Sequence, residues 1–278
     1  MPLQLMYITN RPEVAKIAEV SGVDRIFIDM EYIGKDLRQG GMNTVQNRHS
    51  FSDIENIRSA VSKSKVQVRI NPIHNATLDY CDTEDEVHRA IDSGADILML
   101  PMYKSVKDVE RFLTAVDGRV TTLLLAETIE STEIMDEIVK ISEVDEVHIG
   151  LNDLHLAMGQ KFMFQLLADG TVDKLCDVIR PSGKRYGFGG IARLGYGTLP
   201  AEKIIMDHYR LGSSMAILSR SFCNANQIED IKLIHDLFID EVNKIREAEQ
   251  VFAGFDEMEF SMNHQEIITI VNNIVSNL

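Results

Sequence analysis

Two carboxylates close successive apolar runs. Glu127 follows T-T-L-L-L-A, and Asp153 ends V-D-E-V-H-I-G-L-N-D. An acid at the end of a buried strand loses hydration and needs a cationic partner in return. A hard divalent cation can serve both acids at once, and the lack of a nearby His or Cys cluster favours Mg²⁺ or Mn²⁺ over Zn²⁺. Glu127 and Asp153 are therefore the candidate metal ligands, and the chain reads as a metal-assisted enzyme. A structural reading stands beside this one: each acid pairs with an arginine or serves a helix start, where negative charge is favoured.

Arg69 lies inside the apolar run V-Q-V-R-I-N, so it too requires a charged partner. Its planar fork suits a two-pronged contact with a carboxylate or an enolate oxygen. The alternative is an ion pair with an acid such as Glu127. The stretch G-F-G-G-I-A-R-L-G-Y-G (residues 187–197) contains Arg193, and its backbone amides are placed to cradle an anion past the seventh apolar run. His49, in N-R-H-S, is a candidate general base, or else an exposed histidine ahead of a helix cap. His148 and His155 flank Asp153, and His148 reads as packed structure.

A regular frame must position these groups. Predicted strands at residues 3–8, 25–29, 66–70, 96–100, 121–126, 146–149, 186–190 and 215–218 alternate with helix-like segments at 11–21, 52–62, 84–93, 106–116, 131–141, 165–180, 200–211 and 227–249. Eight β-then-α units predict an α/β fold of the (β/α)₈ TIM-barrel type, and continuous apolar strands suit a parallel sheet buried on both faces. A doubly wound open sheet is the alternative, although no G-x-G-x-x-G follows the first strand. Ser52, with Glu55 three residues on, and Ser131 read as helix caps; Gly22, Gly94 and Gly212 read as helix stops. A barrel carries its site at the carboxyl ends of its strands. That rule adds Asp29, Glu31, Asn71, Ser219 and Arg220 to the residues already named.

Two segments break the rhythm. Residues 32–50 form a polar, glycine-bearing stretch of a length that usually serves function. After residue 250 the helix pattern is interrupted by A-G-F-D, and residues 264–274 carry an apolar stripe of Ile267, Ile268, Val271 and Ile274. The expected division is a catalytic barrel over residues 1–250 and a helical extension over 251–278. Such an extension either contacts another subunit or packs on its own barrel.

The chain's 278 residues carry a formal net charge of −15, which disfavours a nucleic-acid partner. Cys81, Cys176 and Cys223 are scattered without a C-x-x-C spacing and read as reduced thiols. No apolar run is long enough to span a membrane, and no basic-then-apolar leader is visible, so a cytoplasmic location is expected.

Five blocks resemble the HpcH/HpaI aldolase and citrate lyase family: G-V-D-R-I-F-I-D-M-E-Y, V-R-I-N-P, A-I-D-S-G-A-D-I-L-M-L-P-M, A-E-T-I-E-S and V-H-I-G-L-N-D-L-H-L-A-M-G. They occur in that order across residues 20–222. The resemblance implies a TIM barrel that often swaps C-terminal helices between subunits, hence a homo-oligomer. It also implies Mg²⁺ or Mn²⁺ and the making or breaking of a carbon–carbon bond beside a pyruvate, oxaloacetate or acyl-CoA unit. By position, Glu127 and Asp153 match the metal ligands and Arg69 the arginine that steadies the enolate. Gly150, Asn152 and Asp153 fall to the substrate, the backbone of the latter two meeting the pyruvate carboxylate. Asp92 matches an acid that partners a catalytic histidine. Tyr32 stands where that histidine would be, and Leu125 where a glutamine is common. The base is thus left between His49 and a metal-bound hydroxide.

The leading expectation is a metal-dependent carbon–carbon lyase or aldolase working through a pyruvate-like enolate of a small keto acid. One alternative is a barrel that processes phosphoenolpyruvate or a sugar-derived keto acid, with residues 187–197 and Arg193 at the phosphate. Another is a non-catalytic binding or assembly subunit.

Overall fold

In the computed structural model, which describes residues 1–34 and 48–278, all eight apolar runs are strands. They are β1 (Gln4–Ile8), β2 (Arg25–Asp29), β3 (Lys65–Arg69), β4 (Ile97–Leu100), β5 (Thr121–Ala126), β6 (Glu146–Ile149), β7 (Arg185–Ile191) and β8 (Met215–Leu218). Each pairs in parallel with the next, and β8 pairs in parallel with β1. Closure removes the open-sheet alternative. Residues 35–47, most of the polar stretch after β2, lie outside the described residues.

The strand period of two sorts side chains into separate cores. Outward residues such as Ile26, Ile28, Val66, Leu98, Val147 and Ile149 pack against the helical ring. Inward residues Met6, Phe27, Met99, Leu123, Leu125 and Met215 fill the middle of the barrel. The floor is polar. Arg25 of β2 donates to the two carboxylate oxygens of Glu146 on β6 at 2.6 and 2.9 Å. These strands lie diametrically opposite in the ring, so the bond crosses the interior. Gln67 and Gln4 also accept from Arg25, and Arg185 reaches Glu146 at 2.7 Å.

The helices that return the chain are α1 (Pro12–Val20), α2 (Phe51–Ala60), α3 (Thr83–Asp92) and α4 (Val106–Val116). Next come α5 (Ile129–Glu133), α6 (Met135–Ile138), α7 (Leu151–Ala157), α8 (Gln165–Ala168) and α9 (Thr171–Ile179). The last are α10 (Ala201–Leu211), α11 (Ile231–Phe252) and α12 (Glu257–Ser276). The cap of α2 is Ser50 rather than Ser52: Asp53 accepts from the Ser50 amide at 2.7 Å and from its hydroxyl at 2.8 Å. The same S-x-x-acid pattern simply begins two residues earlier. Ser131 is the third residue of α5, and Thr128 caps that helix by accepting the Ser131 amide at 3.0 Å. Gly170, at φ +79°, splits the expected helix of residues 165–180 into α8 and α9. Gly22, Gly94 and Gly212 do end helices in the left-handed region. The long C-terminal helix α12 packs on α8 and α10 of its own barrel.

Candidate active site

The inward positions at the strands' carboxyl ends are polar where those below are apolar. Asp29 ends β2 beside Arg69 at the end of β3. Arg69 Nε and Nη2 each donate to one Asp29 oxygen at 2.8 Å, and Nη1 lies 3.3 Å from Glu31. Asp29 and Glu31 are buried. Burial works against the guanidinium charge, but Asp29, then Glu31 and more weakly Glu127 hold its pKa well above the ordinary value. Arg69 is thus a fixed, charged plane. Its ion-pair partners are Asp29 at the end of β2 and Glu31 just past it, rather than Glu127, the alternative considered from the sequence.

Glu127 follows β5 and is 3% exposed. One of its oxygens accepts the Met102 amide at 3.2 Å. Met102 makes that bond at φ +54°, a strained conformation for a residue with a side chain. Gly150 stands against Glu127: a Cβ there would lie 2.7 Å from Glu127 Cβ and 2.9 Å from Oε2. Glycine therefore leaves the carboxylate its place. The chain then turns into α7, a helix not anticipated from the sequence, whose first turn holds Asn152 and Asp153. First-turn amides have no partner one turn back.

Arg69, Glu127, Gly150, Asn152 and Asp153 line one cavity of about 330 Å³ together with Asp29. The neighbouring strand β7 contributes only Gly189 and Gly190. His148 is also a lining residue, and its ring is buried. Nε2 donates to the Gly189 carbonyl at 3.2 Å, and burial pushes the pKa down to about 4. The ring is therefore neutral, and Nδ1 has no hydrogen-bond partner among the described residues.

His49, Arg193 and Asp92, all expected at the site, do not line this cavity. His49 is half-buried, and its Nδ1 accepts the Asp29 amide at 3.0 Å, so the neutral ring carries its proton on Nε2. Arg193 lies just past β7 with its guanidinium 4.1 Å from the centre of the Tyr196 ring. Asp92 is the exposed last residue of α3, a helix that runs back toward the barrel floor, so it reaches the wrong end of the barrel. Apart from Gly189 and Gly190, the glycine run likewise lies away from the cavity. A Cβ on Gly187 would sit 2.1 Å from the Met215 carbonyl, and Gly195 and Gly197 are exposed outside the cavity lining.

The buried acid of α3 is Glu86, which the sequence reading missed because T-E-D-E-V-H looks like an ordinary acidic helix start. It accepts from the Asn71 amide at 3.1 Å, Asn71 Nδ2 at 2.9 Å and the Tyr80 hydroxyl at 3.0 Å. Burial raises its pKa. Asn71 in turn accepts the Tyr32 and Ile33 amides, both at 3.0 Å, tying the chain past β2 to the end of β3. Tyr7, Asn224 and Asn226 also line the cavity without any sequence signal.

Among the described residues, no group of three or more His, Cys, Asp or Glu is gathered for a metal. The two carboxylates nonetheless fit a hard cation whose other positions go to substrate oxygens and water, the habit of Mg²⁺. The space that Gly150 leaves beside Glu127 is part of that fit.

Comparison with known proteins gives the same frame. The barrel is similar to an HpcH/HpaI aldolase/citrate lyase family protein from Burkholderia cenocepacia, with 15% identity, TM-score 0.61, and 81% of this chain and 91% of that one covered. It is similar to the citrate lyase beta subunit of Mycobacterium tuberculosis complexed with oxaloacetate and magnesium, with 15% identity, TM-score 0.55, and 85% and 97% covered. It is also similar to a protein of that organism in complex with magnesium and pyruvate, with 14% identity, TM-score 0.58, and 86% and 98% covered. No curated protein matches the chain. No described helix is long and apolar enough to cross a membrane. The model of the HpcH/HpaI aldolase/citrate lyase family matches residues 4–164, more than half of the sequence, and the chain belongs to that family.

Proposed function

We propose that this protein is a divalent-metal-dependent carbon–carbon lyase or aldolase that acts on a small α-keto acid through an enolate. The observation that carries this reading is the convergence of Glu127, Asp153 and Arg69 on one cavity at the carboxyl ends of the strands. Glu127 and Asp153 would hold Mg²⁺ or Mn²⁺. When bound, the cation supplies Lewis acidity to the keto oxygen and carboxylate. Arg69, kept charged and planar by Asp29 and Glu31, offers its field to the oxygen on which negative charge develops. Gly150, Asn152 and Asp153 present backbone at the substrate carboxylate. His49 would have to release the Asp29 amide, which its Nδ1 accepts, to serve as the base of this proposal. Family relatives solved with magnesium and either oxaloacetate or pyruvate support the cation and the keto-acid class.

The phosphate-cradle alternative is less favoured, because Gly187 packs against β8 and Gly195, Gly197 and Arg193 lie outside the cavity, leaving Gly189 and Gly190 as the members of the run that border it. The non-catalytic alternative is separated by titration. Calorimetry of the full chain with Mg²⁺ and Mn²⁺, alone and with pyruvate or oxalate, should show metal binding that Glu127→Gln and Asp153→Asn weaken. Absence of any metal or keto-acid binding in the wild type would reject the proposal. Assembly through the C-terminal helices belongs to the same reading: α12 leaves Met258 71% and Met262 60% exposed while its other face packs on the barrel. Mass measurement in solution on the full chain and on a Met258→Lys/Met262→Lys variant tests it, and a monomeric wild type sinks it.

A further inference from the structure

Glu86 is wholly buried in α3, outside the cavity lining, and the reaction proposed above gives it no part. Its Oε1 accepts from the Asn71 amide at 3.1 Å, from Asn71 Nδ2 at 2.9 Å and from the Tyr80 hydroxyl at 3.0 Å. Giving Nδ2–H to the acid fixes which way round the Asn71 side chain lies. Oδ1 is then turned to the Tyr32 and Ile33 amides, at 3.0 Å each. The Tyr80 ring also meets the Tyr32 ring edge-on, with centroids 5.4 Å apart. These contacts fall just beyond the ends of two strands. Asn71 is two residues past Arg69, the last residue of β3, and Tyr32 directly follows Glu31. One buried acid thus ties together the two chain exits that carry Arg69 and its partners. The Asp29 contact, at 2.8 Å, is set by strand register. The Glu31 contact, at 3.3 Å, lies past the end of β2 and depends on where the chain beyond the strand is held.

We propose that Glu86 is a positioning residue: through Asn71 it holds Glu31 against Arg69 and so keeps the guanidinium where it borders the cavity. The proposal rests on the keto-acid reading above and adds to it how the arginine is kept in place. Glu86 acts from behind the wall and touches neither substrate nor metal. Because one of its oxygens takes all three donors, the brace needs an acceptor at position 86 rather than a full charge. The link can be cut at either end. Removing the Asn71 side chain frees the Tyr32 and Ile33 amides, and the exposed position of Tyr32 lets water satisfy them without unfolding the barrel.

The test is calorimetry on the full chain, first with Mg²⁺ alone and then with oxalate, an enolate mimic, at saturating Mg²⁺. Glu86→Leu should weaken oxalate about ten-fold, the cost of a misplaced positioning group, while leaving the affinity for Mg²⁺ alone as in the wild type. Glu86→Gln, which keeps the acceptor, should retain most of the oxalate affinity. Asn71→Ala should reproduce the Glu86→Leu loss, and it decides the matter should Glu86→Leu fail to fold. In an Arg69→Lys background either change should cost little more, because both act on one contact. Unchanged oxalate affinity in a folded Glu86→Leu or Asn71→Ala protein overturns the proposal. So does a parallel loss of Mg²⁺ and oxalate affinity, or a loss that adds in full to that of Arg69→Lys, since a general disturbance of the fold gives both. Oxalate binding that ignores Glu86 removes only the brace, whereas a wild type without Mg²⁺-dependent oxalate binding removes the keto-acid reading and this proposal with it.

Discussion

The two ends of the barrel use the same side chains to opposite effect. At the floor, Arg25 from β2 crosses the interior to Glu146 on β6, while the Gln67 and Gln4 side chains also accept from it. At the mouth, Arg69 binds its neighbour Asp29 and the adjoining Glu31, so its bonds run along the wall. A cross-barrel pair closes the space; a wall pair leaves the centre open as a cavity. A buried arginine with carboxylates is therefore not in itself evidence of a site. What distinguishes the mouth is which strands the partners come from, and whether an acid such as Glu127 is left facing a cavity.

The largest expected effect lies at the floor. Glu146→Gln keeps the shape but leaves the Arg25 charge buried without its anion, and should lower folding stability by about 3–5 kcal/mol in denaturant titrations. Replacing both partners together, as Arg25→Met with Glu146→Leu, should be much less damaging than either single change. Metal affinity per folded molecule should not move. If Glu146→Gln weakened metal binding while stability held, the floor and mouth would not be separate devices.

Glu127→Gln is the mirror experiment. Groups that hydrogen-bond a metal's ligands are worth about 10–100-fold in affinity, so a side chain that itself holds the metal should be worth at least about 100-fold. Stability should hold or rise, since a buried charge is removed. A variant that melts early while binding Mg²⁺ normally would place Glu127 with Glu146 among the structural acids.

Gly150→Ala sharpens the contrast with a smaller step. The added methyl would lie 2.9 Å from Glu127 Oε2, so the carboxylate has to move while the fold can stay. A drop of about ten-fold in metal affinity at nearly unchanged stability is expected. Unchanged affinity would mean that Glu127 does not need the position glycine gives it.

The frame was legible because strands buried on both faces are continuous apolar runs, and β1 to β8 all fall where those runs lie. That Glu127, Asp153 and Arg69 line the cavity was legible because charge at the end of such a run is out of place. Partnership was not. Nothing in V-Q-V-R-I-N says that Arg69 turns to Asp29, because that depends on strand register. Asp92 and Glu86 lie on one helix, and which acid faces the rim follows from the helix direction and phase rather than from local composition. The glycines of residues 187–197 carry two meanings in sequence, anion cradle and close packing, and only the approach of Met215 decides between them.

The strand β6 samples the floor with Glu146 and, with His148, the layer between floor and mouth, and that layer gives the smallest effect. Burial holds the His148 pKa down at about 4, and burial with the nearby His148 holds His208 at about 3, against an ordinary 6.5. His208 lies in α10, stacked at 3.8 Å on Phe188 and bonded to the Ser213 hydroxyl at 2.7 Å. Once unfolded, both rings take up protons as the pH falls through about 6.5, while the folded chain refuses them until far lower. The unfolded state therefore binds more protons in that interval, so the stability these rings confer is complete above about pH 6.5 and drains away as the pH falls toward 4. Each ring contributes up to about 1.4 kcal/mol per pH unit. Denaturation midpoints from pH 7.5 down to 4.5 should decline, and His208→Gln should decline less steeply than the wild type by one proton's worth. Identical slopes in the two proteins would mean that His208 takes up its proton in the folded chain, so that the wall between barrel and helices is open to water and the sealed floor extends less far than the geometry indicates.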